Sequence, residues 1–302
     1  MKIAIFMSTY NGEKYINQQL ESIFNQKVCA SIELYIRDDG STDRTIDIIR
    51  KWKEQFNITL FIENNVGPAQ SFWKLFSMKD IKADFYAFAD QDDLWDSNKL
   101  QVGIDSLKND EKEALWCSNC RIIDQNGIVF KSEMNKNTPD FNIISQFICG
   151  TTQGCAMLLN NQLRNYILSK SIDKIPMHDF VIMTYAIAKG KVIYEKCPTF
   201  GYRVHNNNVV AKEGKNPLKH AIDSLNRWFS KEHKNELSLY AEEFLINNEE
   251  YLDNLTREYL NELIGGRDSV VSRMKIVCNT NTKSQNKKAE RSFKIRMLLG
   301  IL

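Results

Sequence analysis

Three carboxylates crowd the end of an apolar run. Phe85 to Ala89 is aromatic and aliphatic, and Asp90, Asp92 and Asp93 follow within four positions. Like charges packed this closely repel, so the stretch must be well solvated or share a cation. The Asp-x-Asp spacing of Asp90 and Asp92 lets a turn after a strand aim both side chains at one place, where Mg²⁺ or Mn²⁺ could bridge them to phosphate oxygens. The same tripeptide also reads as a solvated acidic loop, because Asp is common in turns and helix caps. Asp179 is a further acid of interest, although a helix N-terminus alone favours a carboxylate there. Arg203 and His205 alternate in Tyr202-Arg-Val-His205 and could face one phosphate or one metal ion.

Elements able to hold these groups are legible in the hydrophobic pattern. Lys2 to Met7 reads as a buried strand, Ser8-Thr-Tyr-Asn-Gly12 as its loop, and Tyr15, Ile16, Leu20, Ile23 and Phe24 as the apolar face of a helix ending near Asn25. Ile32 to Ile36 and Ile58 to Ile62 repeat the strand pattern, and helices are expected with Ile46, Ile49 and Trp52 and over 69–78. Strand, loop and helix thus occur three times before the acidic cluster, which argues for a parallel sheet with polar loops gathered at the carboxyl ends of its strands. Beyond it we expect a helix over 96–107, a strand-like run from Leu115 to Ile123 returning through Asp124-Gln-Asn-Gly127 to Phe130, and a polar loop over 131–142. Residues 147–159 read as small residues leading into a strand. A helix over 161–168, another opening near Asp179 and stopping at Gly190, and a last strand at Lys191 to Tyr194 follow.

Composition bounds the alternatives. With 302 residues, 43% hydrophobic and 26% charged, the chain can build one large or two smaller cores, and a net charge of +2 gives no ground for nucleic acid as a partner. Seven cysteines, an odd number set in apolar segments, suit reduced thiols in a cytoplasmic protein. Neither Gly-x-Gly-x-x-Gly nor a Walker-type Gly-Lys-Ser/Thr follows a strand, which removes the main support for dehydrogenase and ATPase readings. From Pro217 a helical periodicity begins with Leu218, Ile222, Leu225, Trp228 and Phe229 and resumes from Leu237 to Leu263, a stripe that would suit a dimer contact. From Gly265 onward nine Lys/Arg stand against Asp268 and Glu290, an excess of seven, so this tail could lie on an anionic membrane face, pack on its own core or meet another subunit.

Taken in order, Ser8-Thr-Tyr-Asn-Gly-Glu13, Asp38-Asp-Gly-Ser-Thr-Asp-Arg-Thr45, Ala89-Asp-Gln-Asp-Asp-Leu-Trp95, His178-Asp179 and Tyr202-Arg-Val-His205 resemble the motifs of inverting family 2 glycosyltransferases, particularly the rhamnosyltransferase-like branch that builds cell-surface polysaccharides. The resemblance spans residues 1–211. It implies a GT-A fold, a Rossmann-like α/β arrangement whose mixed, mainly parallel sheet is flanked by helices. Residues 1–100 would form the nucleotide-sugar half, 101–211 the acceptor half and 212–302 a helical C-terminal extension.

The same resemblance implies roles. Thr9, Tyr10, Glu13 and Asp38 or Asp39 would line the nucleobase and ribose pocket, and Asp90 the ribose or metal side. Asp92 with Asp93 would hold Mn²⁺ or Mg²⁺ on the diphosphate, steadied by Arg203 and His205, with His205 also a metal ligand. Asp179 would be the general base. Gly150, Thr151, Thr152 and His178 would border the acceptor. Family members often carry Glu or Asp before the base, whereas His178 stands there here. The implied partners are a dTDP or UDP sugar and a polyprenyl-diphosphate-linked glycan, met in the cytoplasm or at the inner membrane face. A metal-dependent nucleotidyltransferase or nuclease built on the three Asp is the rival class, but such nucleotidyltransferases usually carry a Gly-rich basic loop after the first strand, and Ser8 to Gly12 is none. A non-catalytic subunit would show a missing base or a broken Asp-x-Asp, and neither occurs.

Overall fold

Two sheets organise the chain. The computed structural model describes residues 1–205 and 235–302. The larger sheet holds β1 (Lys2–Thr9), β2 (Ser31–Asp38), β3 (Ile58–Ile62), β4 (Phe85–Ala89), β6 (Ala114–Ser118), β9 (Met157–Asn160) and β10 (Lys191–Glu195), in the order β10-β6-β9-β4-β1-β2-β3. Only β9 runs antiparallel to its neighbours, so the sheet is mixed and mainly parallel, as the resemblance implied. Alternation on β1 explains the layers: Ala4 and Phe6 pack on one face, and Ile3, Ile5 and Met7 on the other, with every one fully buried.

Helices cover both faces. α1 (Ile16–Phe24), α2 (Thr45–Lys53) and α4 (Lys99–Leu107) lie on the Ile3 face, and α3 (Pro68–Phe76), α5 (Ile143–Cys149), α6 (Asn161–Leu168) and α7 (His178–Lys189) on the Phe6 face. α1 shows why: Ile16, Gln19, Leu20 and Ile23 are its buried residues, at helical spacing. α3 starts at Pro68, a favoured first helical residue, after Gly67 at φ +81°. The register of the sheet sets Thr9 beside Asp38 and Met7 beside Ala89, so the loops after β1, β2 and β4 emerge together.

A second, smaller sheet was not foreseen. It orders β5 (Leu94–Trp95), β11 (Phe200–Arg203), β7 (Arg121–Ile123) and β8 (Val129–Lys131) as β5-β11-β7-β8. The run from Leu115 to Ile123 breaks near Asn119 into β6 and β7, which belong to different sheets, because the Asn119 side chain bonds the main chain of Cys120 and Asn135 instead of a ladder. β10 is not the last strand: β11 follows it, and its Tyr202 and Arg203 open the stretch expected to be a polar cluster, with the Arg203 side chain buried. The helix expected from Asp96 begins at Lys99, and residues 143–149 form α5 with Asn142 as its N-cap, accepting from Ser145 N at 2.8 Å.

Four C-terminal helices, α8 (Glu236–Asn248), α9 (Asn254–Gly265), α10 (Val270–Cys278) and α11 (Lys287–Leu299), lie against the Phe6 face. The stripe expected to suit a dimer is consumed here: Tyr240, Phe244, Tyr259, Leu260 and Leu263 are buried in the chain's own core. The periodic residues Leu218 to Phe229 and the polar Asn206 to Asn208 lie outside the described residues.

Candidate active site

A cavity of about 610 Å³ opens where the loops after β1 and β4 meet the N-terminus of α7. Its walls include Tyr10, Asn11 and Gly12 from the first loop, Asp90, Gln91 and Asp92 from the acidic loop, Gln153 and Gly154 ahead of β9, Met177, His178 and Asp179 at the start of α7, and Tyr202 and His205 around the end of β11. Of the residues picked out in the sequence, it gathers Tyr10, Asp90, Asp92, His178, Asp179 and His205.

The acidic loop is tied to the first loop by Gln91, whose Oε1 accepts from Tyr10 N at 2.9 Å and whose Nε2 donates to Tyr10 O at 3.0 Å. A Cβ at Gly12 would collide with the Gln91 amide, so a larger residue there would have to displace the side chain that ties the two loops. Asp92 Oδ2 lies 2.7 Å from His205 Nε2, and the His205 ring stacks on Tyr15 with centroids 4.9 Å apart. Asp90 is held above the usual carboxylate range, chiefly by burial and then by the neighbouring Asp92 charge.

Behind this wall lies Asp93, 1% exposed, with Oδ1 accepting from Arg203 N at 3.1 Å and Oδ2 without a hydrogen-bond partner among the described residues. Burial raises its pKa well above normal, and Asp92 and Asp90 add to that. Asp90, Asp93 and Cys155 bring one ligand atom each within 4.8 Å of one another. That trio, with Asp93 and Cys155 buried, already has a cation beside it. Lys99 is 1% exposed, its ammonium donates to Cys155 O and sits over the Trp95 and Phe200 rings at 4.3 and 4.0 Å. Burial lowers its pKa to about 8, while Asp93 and Asp90 act to raise it. Nothing in the sequence pattern marked Lys99, because position 99 lies on the inner face of an amphipathic helix where a lysine is rare.

Asp179 occupies the first turn of α7. Its Oδ1 accepts from Phe180 N at 2.7 Å and its Oδ2 from Gly154 N at 3.1 Å, and burial still lifts its pKa to about 6 against those hydrogen bonds. The preceding His178 is 5% exposed and stacks on Phe72 at 4.2 Å, and neither ring nitrogen has a hydrogen-bond partner among the described residues. Burial lowers its pKa to about 3, so the ring is neutral. Gly154 faces it so closely that a Cβ would collide with Nε2.

Other expected residues stand outside the cavity lining, each for a visible reason. Thr9 is buried and donates to Asp38 Oδ2 at 2.8 Å, and Asp38 also accepts from Ser41 N and Ser41 Oγ at 2.8 and 2.6 Å. Asp39 is ion-paired with the fully buried Arg37 and accepts from Val66 N and Gly67 N, both at 2.9 Å. These carboxylates brace the loops around the cavity. Glu13 bonds Arg44 N at 3.0 Å. Gly150, Thr151 and Thr152 precede the part of their loop that reaches the cavity, and Thr151 instead donates to Gln146 Oε1 at 2.8 Å. Arg203 is fully buried: its guanidinium donates to Asp92 O at 2.6 Å, Asp124 O at 3.2 Å, Gln125 O at 3.1 Å and Gln18 Oε1 at 2.9 Å. It therefore clamps the acidic loop, the β7–β8 turn and α1 together, and does not reach the cavity.

Comparison with known proteins agrees with this arrangement. Over 276 residues the chain is 27% identical to the dTDP-rhamnosyl transferase RfbG of Shigella flexneri, covering 85% of this chain and 91% of that protein. In structure it is similar to Staphylococcus aureus TarS 1-349 in complex with UDP-GlcNAc, with a TM-score of 0.61 and 18% identity over 100% of this chain and 82% of that one. The mannosyltransferase PcManGT from Pyrobaculum calidifontis, in complex with GDP-Man and Mn²⁺, aligns with a TM-score of 0.53 and 14% identity over 99% and 85% of the two chains. These likenesses are to GT-A glycosyltransferase folds. The family model for Glycosyl transferase family 2 matches residues 4–166, more than half of the chain, and the chain belongs to that family.

Proposed function

We propose that the protein is a metal-dependent inverting glycosyltransferase that moves a sugar from a nucleoside diphosphate to a hydroxyl of a growing cell-surface glycan. The observation that carries this reading is Asp179: a carboxylate in the shared cavity, fixed by two backbone N–H groups, with its pKa raised to about 6. Such a group is ionised at neutral pH and more basic than an ordinary carboxylate, which suits a general base. Its carboxylate takes the proton of an acceptor hydroxyl as that oxygen bonds to the anomeric carbon. The bond from that carbon to the diphosphate oxygen breaks in the same displacement, so the configuration inverts and the nucleoside diphosphate departs.

Asp92 and His205 would hold the divalent cation, with Asp90 beside them. They fit Mn²⁺ or Mg²⁺ because they present oxygen and nitrogen donors on the cavity wall, where burial and the neighbouring Asp92 charge make Asp90 costly to ionise. When bound, the cation supplies neutralisation of the charge that builds on the diphosphate. The Asp90–Asp93–Cys155 trio is the poorer host, because the Lys99 ammonium is already next to it and it offers a buried thiol, which a hard cation disfavours. Asp93 and Arg203 act by holding the loop that carries Asp92. Tyr10 and Asn11 would meet the nucleoside, while Gly154 and His178 would border the acceptor hydroxyl.

The length of the match to a dTDP-rhamnosyl transferase favours dTDP-rhamnose as donor, with UDP-hexoses as the other candidates, and a polyprenyl-diphosphate-linked glycan as acceptor at the cytoplasmic face. A thermal-shift panel of UDP, dTDP, GDP, CDP and ATP, each with and without Mn²⁺, tests the reading, since a ligand of the native state raises its melting temperature. Stabilisation by dTDP or UDP that grows with Mn²⁺ is expected. A response to a triphosphate alone would favour nucleotidyl transfer.

A further inference from the structure

The basic C-terminal tail uses two faces differently. Ile276 of α10 and Phe293 and Met297 of α11 turn inward and are buried. The outward faces are apolar as well. Val270 and Val271 are each 67% exposed and Met274 46%, and on α11 Ile295, Leu298 and Leu299 are 52%, 47% and 49% exposed. The two helices meet so that Gly300 abuts the Arg273 guanidinium and Gly266 abuts Met297, which brings the end of α11 alongside the first half of α10. Folding does not require these outward side chains, and soluble chains seldom gather large apolar residues on one free face without a partner.

Charge indicates which partner. On the exposed strip of α11, Lys288 and Arg291 precede Ile295, Leu298 and Leu299 at helical spacing, and the strip carries no acid. Lys287 and Lys294 are paired with Glu290 and Lys275 with Glu262, whereas Lys288 and Arg291 make no ion pair among the described residues. A two-fold contact with a second copy would set this cationic strip against its own image, with no acid to answer it. An anionic surface that also accepts apolar side chains has the matching chemistry.

We propose that the outward face of α10 and α11 docks on the surface of a bilayer containing anionic phospholipid. The apolar side chains enter the boundary between headgroups and acyl chains, and Lys288 and Arg291 pair with lipid phosphates. The helices lie on the membrane, because no helix among the described residues is long and apolar enough to cross it.

The full chain is sedimented with vesicles of phosphatidylcholine alone and of phosphatidylcholine mixed with phosphatidylglycerol. Binding to the mixed vesicles that weakens as salt is raised is expected. Lys288→Gln with Arg291→Gln lowers partitioning by about 25-fold, taking roughly fivefold per cation. Leu298→Ser with Leu299→Ser lowers it too, while the melting temperature and any nucleotide-induced shift stay unchanged because these residues are exposed and outside the cavity. A wild-type chain that ignores both vesicles, or variants that bind as the wild type does, overturns the proposal. So does a wild-type dimer in light scattering that Leu298→Ser dissociates, since the face is then a subunit contact. Loss of glycosyl transfer with vesicle binding intact would count against the proposed function alone.

Discussion

Replacing Asp179 with Asn should make the protein more stable at neutral pH and nearly inactive. Burial raises the Asp179 pKa from 3.8 to about 6, and a shift of roughly two units corresponds to ~3 kcal/mol of unfavourable ionisation, reduced to ~2 kcal/mol by solvent at the cavity mouth. Asn removes that term. It also gives up one acceptor oxygen, so the Gly154 and Phe180 N–H groups can no longer both be satisfied, which costs about 1 kcal/mol. The net gain is ~1 kcal/mol, or about 2–4 °C in melting temperature. The sign with pH follows from linkage. A folded-state pKa above the unfolded value means the native chain binds the extra proton between about pH 4 and pH 6. Wild-type stability therefore falls as pH rises through that window, and the advantage of the Asn variant vanishes near about pH 4.5. Turnover should drop by about 10²- to 10⁴-fold, the usual contribution of a general base, and wild-type turnover should rise with pH through about 6. Thermal melts at neutral and acidic pH, with a nucleoside-diphosphate release assay, read all of these. A variant keeping more than about a tenth of wild-type turnover would refute the base assignment, and a stability gain independent of pH would refute the burial argument.

Asp92→Ala should weaken Mn²⁺-dependent nucleotide binding by more than about tenfold in calorimetric titration; unchanged metal dependence would move the cation to Asp90, Asp93 and Cys155. Gly154→Ala should displace His178 and lower turnover by about tenfold, and combining it with His178→Ala should cost less than the two single changes together, because the collision is with the His178 ring; strict additivity in the kinetic double-mutant cycle would show that the two residues act apart. Arg203→Met should cost at least about 3 kcal/mol, since it leaves several backbone carbonyls and Gln18 without their donor in a buried setting; a melting temperature within about 2 °C of wild type would contradict its role as a clamp.

Periodicity carried much of the fold. Asn161 to Leu168 and the stop at Gly190 needed only a 3.6-residue pattern and a glycine, and at Gly190 the close approach of the Glu113 carbonyl leaves no room for a Cβ. The acidic loop was legible because three carboxylates after an apolar strand are chemically costly wherever they fall. The small sheet was not, since β5 has two residues and β7 and β8 three each, too short for alternation to show. The same limit applied to polar residues. Asp38, Asp39 and Arg203 belong to recognisable motifs, yet a sequence does not reveal whether a charged side chain faces substrate or braces a loop, because that depends on contacts as distant as Arg203 to Gln18. Lys99 and Gln91 escaped notice for the converse reason: each is ordinary in type and unusual only in where its polar atoms end. One signal was available and unused, since Asn142 followed by Ile143, Ile144, Phe147 and Ile148 has the cap and spacing of α5.

Under the proposed function, sugar transfer inverts the anomeric centre at a cavity governed by Asp179. Its most direct test is NMR of the sugar released or transferred when the purified chain, with Mn²⁺, is given dTDP-rhamnose and UDP-hexose donors and a polyprenyl-diphosphate-linked acceptor. One donor should be consumed, its nucleoside diphosphate should appear in equal amount, and the new anomeric centre should have the configuration opposite to the donor's. A product that retains the donor's configuration, or formation of pyrophosphate from a nucleoside triphosphate with no sugar transferred, would contradict it.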